Sequence, residues 1–146
     1  MALDLGGRRI GVALSDTTRL LASPLTTIRA EPQATAISRI ATLIAHHEVA
    51  DLVVGLPLTL SGEIGPQARV VQAFVDELRK SVTIPIHLVD ERLTSVEAER
   101  MMLELGVKRE QRRARIDEVA ASLILRDFLG SQGDREDMHR SDEYSD

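Results

Sequence analysis

Three carboxylate positions, far apart in the chain, carry the chemistry this sequence could perform. Asp4 closes a short apolar segment just ahead of Gly6 and Gly7. Asp90 and Glu91 follow a second apolar segment, and Asp117 precedes an apolar run late in the chain. Carboxylates crowded together repel one another, and a divalent cation relieves that cost. Oxygen-only donors favour Mg²⁺ or Mn²⁺. Rival chemistries have little to stand on. The 146 residues include no cysteine, which excludes disulfides and thiolate metal sites and suits a reducing cytoplasm. His46 and His47 are adjacent, without ligand spacing, and His87 reads as a strand residue. Ser15, Ser61 and Ser95 lack a plausible histidine partner, so nucleophilic catalysis is set aside.

Each acid also has a plain structural role. Asp4 beside two glycines suits a turn. Asp117, in the first turn of a helix, would complement the helix dipole. Thr94 and Glu97 match a capping box, which would make Asp90 and Glu91 a lead-in to that helix. The chemical reading depends on elements that bring the acids together.

Those elements are legible from periodicity. Met1 to Leu5 is a short apolar strand, Gly6-Gly7 turns the chain, and Arg8 to Ser15 alternates through Ile10, Val12 and Leu14. Leu20 to Ile28 is a third strand, placed at an edge by Pro24. Pro32, at a first helical position, opens a helix with Ile37, Ile40, Ala41 and Ile44 on one face. Asp51 to Gly55 is a strand buried on both sides. After a loop from Leu56 to Gly65, a second helix starts at Pro66 with Val70, Val71, Phe74, Val75 and Leu78 inward. Ile84 to Val89 is the fifth strand. Thr94 to Leu105 is a helix capped by Gly106, and Ile116 to Leu129 is the last helix. No internal repeat is present.

The order β-β-β-α-β-α-β-α-α describes an α/β domain. A three-stranded meander is followed by helical crossovers, which make the later strands parallel to the first. The simplest arrangement is a five-stranded mixed sheet in the order 3-2-1-4-5, flanked by helices. Ligands bind beyond the carboxyl ends of strands in such sheets. Asp4, Gly55, Asp90 and Glu91 all fall there, with the first and fifth strands roughly 10 Å apart. Ala120 and Ala121 would let the last helix lie close to the sheet and carry Asp117 to the same edge.

Hydrophobic residues make up 43% of the chain, enough for one core spanning residues 1–130. Residues 131–146 form an acidic tail, expected to be disordered. The net charge of −5 sits mostly in that tail: from Asp134 onward six acids face Arg135 and Arg140. Lys108, Arg109, Arg112, Arg113 and Arg115 face only Glu110 within one short segment, which reads on charge alone as a solvated loop yet could dock a phosphate backbone. Aromatic residues are 2%, namely Phe74, Phe128 and Tyr144, so no base-stacking platform exists and any nucleic acid must be gripped by its backbone. No apolar run reaches a membrane-span length of about 18 residues, and the start lacks the basic and apolar stretches of a signal peptide. The expectation is a cytoplasmic protein with no membrane partner, monomeric or a weak homodimer.

Four strings stand in register over Leu3 to Leu129: ALDLGGRRIGVALSD, VVGLPLTLSGEIGPQA, VDERLTSVEAE and RRARIDEVAASLIL. Together they resemble the YqgF family. Those are RNase H-like proteins related to Holliday-junction resolvases and described as candidate pre-16S ribosomal RNA nucleases. The resemblance implies an RNase H-like fold and metal-assisted phosphodiester hydrolysis. It implies metal ligation and catalysis by Asp4, Glu91 and Asp117, with Asp90 close by as a further ligand. It also implies phosphate contacts from Arg9 and Arg92, beside the basic segment Lys108 to Arg115. A two-metal site is expected, its Mg²⁺ or Mn²⁺ ions about 3.5–4 Å apart. The substrate implied is pre-16S rRNA, with structured or branched DNA as the alternative, and a non-catalytic nucleic-acid or ribosome-associated module is the rival. A sugar-kinase or actin-like ATPase, which also opens on DLGG, would need a second lobe and a second glycine-rich phosphate motif that this chain lacks. Two features depart from the family: Gly7, where relatives carry Thr or a small residue, and a lead of only three residues before Asp4, from which a shortened first strand is expected.

Overall fold

A computed structural model describes residues 1–91, 100, 102–104, 106 and 108–143, with the side chains of 109, 110, 112–114 and 132–143 outside that description. Arg92, Thr94, Ser95 and Glu97 lie outside the described residues, as does most of the helix expected over Thr94 to Leu105.

The strands β1 (Ala2–Leu5), β2 (Arg9–Ser15), β3 (Ala22–Arg29), β4 (Leu52–Leu56) and β5 (Ile86–Asp90) form one sheet in the order β3-β2-β1-β4-β5. β1 is antiparallel to β2 and parallel to β4, and β5 continues parallel to β4. The mixed 3-2-1-4-5 sheet is therefore the one expected. Side-chain alternation divides it into two faces. On one face Leu3, Ile10, Val12, Ile28, Leu52 and Val54 pack beneath α1 (Gln33–His46) and α2 (Pro66–Leu78). On the other, Ala2, Ala13 and Val53 meet Ala121, Ile124 and Leu125 of α3 (Arg109–Glu143).

Several local expectations are corrected. Pro32 has an extended ψ of 143° and serves as the N-cap, so α1 begins one residue later. Val70 is 70% exposed, because Ala68, Val71, Phe74, Val75 and Leu78 already fill the buried stripe and Val70 lies one residue off it. Leu20 and Leu21 precede β3 and are exposed, since the chain there turns through Asp16, whose carboxylate accepts from both backbone amides. α3 starts at Arg109, not Ile116, so the arginine-rich segment is helical. Arg, Gln and Glu are good helix formers, and a stretch that does not face the core leaves no apolar period to read. The helix also continues past Gly130, where the sequence reading placed the end of the domain. Among the side chains described, the last one packed against the core is Leu129.

Candidate active site

The face of the sheet under α3 is built from small residues wherever the helix or an acid crosses it. Gly11, paired with Asp4 across β1 and β2, lies directly beneath the α3 backbone. A Cβ there would run into the carbonyl of Asp117 and approach the Glu118 amide nitrogen to 2.6 Å. Ala120 and Ala121 are fully buried and bring α3 down from its own side. Asp117 is thus held over the β1–β2 edge by backbone proximity. It lies in the third turn of α3, so its plain role as an N-terminal dipole charge falls away.

Gly55 performs a similar service for Glu91. It stands on β4 between β1 and β5, and the Glu91 carboxyl lies over it: an added Cβ would meet the Glu91 Oε2 and come within 2.6 Å of its Cδ. The missing side chain opens a passage across the intervening strand, and Glu91 reaches through it to hydrogen-bond Asp4. The Glu91 backbone amide is anchored on the Leu56 carbonyl at 3.2 Å.

Asp4 is 6% exposed and is the one buried polar or charged residue among the described residues. Burial raises its pKa to about 6, assisted by the negative charge of Asp117. Burial, together with Asp4 and Asp90, pushes Glu91 up to about 9. At neutral pH a protonated Glu91 therefore donates to an ionised Asp4. Asp117 is also raised by burial, an effect opposed by Arg9, whose Nε lies 3.6 Å from Asp117 Oδ2.

The structure brings Asp4, Glu91 and Asp117 to one edge of the sheet from three separate elements. Asp90 is exposed, and strand alternation sets it opposite Val89, which packs under α3. Among the described residues no three His, Cys, Asp or Glu side chains already close into a metal cage, and Asp117 pairs with Arg9. Lys108 and Arg115 are exposed at the start of α3, with Arg115 bonded to Glu118 at 3.1 Å. Arg109, Arg112 and Arg113 belong to the same helix, their side chains outside the described residues. His87 pairs with Asp51 at 3.1 Å and packs on Phe128, away from the acids. Gly11 is the position that sequence reasoning missed. A glycine inside an alternating strand marks a close backbone approach, and that signal was present.

The raised pKa values carry a sign for stability. An acid that holds its proton more tightly in the folded state stabilises the fold at low pH. That contribution is lost as pH rises from the unfolded value near 4.5 toward 9 for Glu91. Metal-free Glu91→Gln should therefore resist heating better than the parent at pH 8, by about 3–6 °C in Tm, with the difference shrinking toward pH 4. Melting curves across that range check it, and a pH-independent difference would contradict the assignment.

Comparisons with known proteins place the chain in a family and a fold. The family model "RuvX: Holliday junction resolvase" matches residues 1–131. A "Putative pre-16S rRNA nuclease" of Roseiflexus sp. (strain RS-1) is 71% identical over 132 residues, covering 90% of this chain and 94% of that protein. Its namesake in Chloroflexus aurantiacus (strain ATCC 29366 / DSM 635 / J-10-fl) is 51% identical over 143 residues, covering 98% and 92%. Among solved structures, "T. thermophilus RuvC in complex with Holliday junction substrate" is similar with a TM-score of 0.54 at 15% identity, covering 90% of this chain and 94% of that one. That likeness concerns the RNase H-like fold alone.

Proposed function

The chain belongs to the RuvX Holliday junction resolvase family, and from that premise we propose that it is a cytoplasmic nuclease that hydrolyses phosphodiester bonds at the 5′ end of pre-16S rRNA. The observation that carries the reading is the passage over Gly55, which lets Glu91 reach Asp4 across an intervening strand while α3 delivers Asp117 to the same edge. A structural role explains no such expense: a buried carboxyl held against a half-buried one destabilises a fold unless something is gained.

The donor set fits a hard divalent cation. It is all oxygen, its central acid Asp4 is buried, and among the described residues the ion pair it makes is that of Asp117 with Arg9. Asp4, Glu91 and Asp117 would hold Mg²⁺ or Mn²⁺. Such ions, when bound, lower the pKa of the attacking water and offset charge on the leaving oxygen. Asp4, already ionised at neutral pH, is the permanent anion of the site. Glu91 must give up its proton before it can ligate. Arg9 releases Asp117 when a substrate phosphate takes up its guanidinium, and Lys108 and Arg115 approach the backbone from the start of α3.

A second reading, resolution of four-way DNA junctions by a two-fold pair of chains, is favoured by the family description and needs the same carboxylates. Cleavage mapping on a precursor rRNA and on a four-way junction separates the two, with Asp117→Asn as the control. The expected result is defined 5′-end cutting of the RNA, reduced about 100-fold or more in the variant. Cutting of the junction alone would assign the second reading. Equal activity in the variant would remove Asp117 from the site.

A further inference from the structure

Arg29 was not among the residues the sequence singled out, and the sheet places it beside the site. It is the last residue of β3 and is paired in register with Arg9 of β2. Two residues back, Thr27 bonds Glu118 of α3 at 3.4 Å, so Thr27 lies on the α3 face. Alternation puts Arg29 on that face as well, next to Arg9, whose guanidinium reaches Asp117. The helix crosses the sheet over Gly11 and Thr27, which are themselves paired, and the two arginines are the next pair outward from that crossing. Arg115 joins them from the helix, tied through Glu118 to Thr27.

This juxtaposition is unfavourable as it stands. Directly opposed residues on antiparallel strands have Cβ atoms about 4.5–5.5 Å apart, and like charges there repel. Arg9 has a partial counter-charge in Asp117, but Arg29 has no acidic partner among the described residues. Arg9, Arg29 and Arg115 bring three guanidiniums against the two carboxylates of Asp117 and Glu118, so the group is short of negative charge, and a phosphodiester oxygen supplies it in the fork geometry that arginine prefers.

Resting on the nuclease reading, we propose that Arg9 and Arg29 form a phosphate clamp that leads the nucleic-acid backbone from the carboxylate edge out across β2 and β3. A phosphate adjoining the reacting one bridges the two guanidiniums, and Arg9 exchanges Asp117 for it. The free edge of β3 then becomes part of the substrate track, with Arg115 flanking it. The clamp reads phosphodiester chemistry, which RNA and DNA share.

The test is equilibrium binding of the full chain in an Asp4→Asn background, which keeps the probe intact, followed by fluorescence anisotropy at several salt concentrations. The probes are a labelled precursor-rRNA fragment and a labelled four-way DNA junction. Arg29→Ala should weaken binding roughly 3- to 10-fold and lower the slope of log K against log salt by about one phosphate contact. Arg29→Lys should recover part of the loss. In an Arg9→Ala background the Arg29→Ala effect should largely vanish, since one phosphate is shared. Arg39→Ala, an exposed charge on α1 across the sheet, is the control for general charge and should change nothing. An unchanged slope in Arg29→Ala overturns the clamp, as does an equal loss in Arg39→Ala. Which probe responds identifies the natural source of the phosphate. If the chain with Asp4 intact binds but never cuts, and Arg29→Ala still weakens binding, the clamp stands and the nuclease reading falls. Absence of binding to either probe overturns both.

Discussion

Asp4→Asn is expected to lower cleavage by about 10³-fold or more while nucleic-acid binding stays within about threefold. Asparagine keeps the shape and can still accept a hydrogen bond from Glu91, so the fold should tolerate the change. The effect is electrostatic. Asp4 is the buried acid that is ionised at neutral pH, with Glu91 bonded to it and Asp117 facing it. Removing its charge removes the anion on which the other two converge. The variant should also melt no lower than the parent without metal, because the buried charge that Asp117 repels is gone. Single-turnover cleavage beside an anisotropy titration checks both halves. Retained cutting with Asp4→Asn would sink the proposed site.

The second large effect is on stability. Gly11→Ala adds one methyl group where the α3 backbone already lies, at the Asp117 carbonyl and 2.6 Å from the Glu118 amide nitrogen. Those are backbone atoms in mid-helix, and they cannot swing aside as the end of a flexible side chain would. The helix must lift or β2 must bend, at a cost of about 3 kcal/mol or more. The same displacement carries Asp117 off the edge, so cleavage should fall even at temperatures where the variant is folded. Gly7→Ala is the matched control: its added Cβ meets nothing within 4 Å, and its stability should change by less than about 0.5 kcal/mol. Urea denaturation of the two variants separates a packing effect from a general intolerance of substitution in the glycine-rich turn. Equal stabilities would refute the close-approach argument.

Much of this molecule is determined by local pattern. The alternation of Ile10, Val12 and Leu14, the continuous Leu52 to Val54 run and the helical period of Ile37, Ile40 and Ile44 each specify an element, because a buried face imposes its period on the residues that fill it. Connection rules then order the sheet, since helical crossovers demand parallel strands and a short glycine turn demands an antiparallel pair. The acids at strand ends follow from that order. What failed were places without a buried face. The arginine-rich start of α3 is helical yet has no apolar stripe, and Val70 is apolar yet lies off the stripe of its helix.

The tertiary structure alone decided how the acids meet. Strand spacing put Asp4 and Glu91 too far apart for contact, and the gap closes because Gly55 between them has no side chain. Asp117 reaches the edge because Gly11 lets a helix backbone rest on a strand. Arg29 enters because register sets it opposite Arg9. Each of these is a relation between residues distant in sequence, fixed by which atoms are absent from the space between them. A sequence names the residues present and their period, whereas the room for a carboxylate to cross a strand exists only once the sheet and α3 have packed.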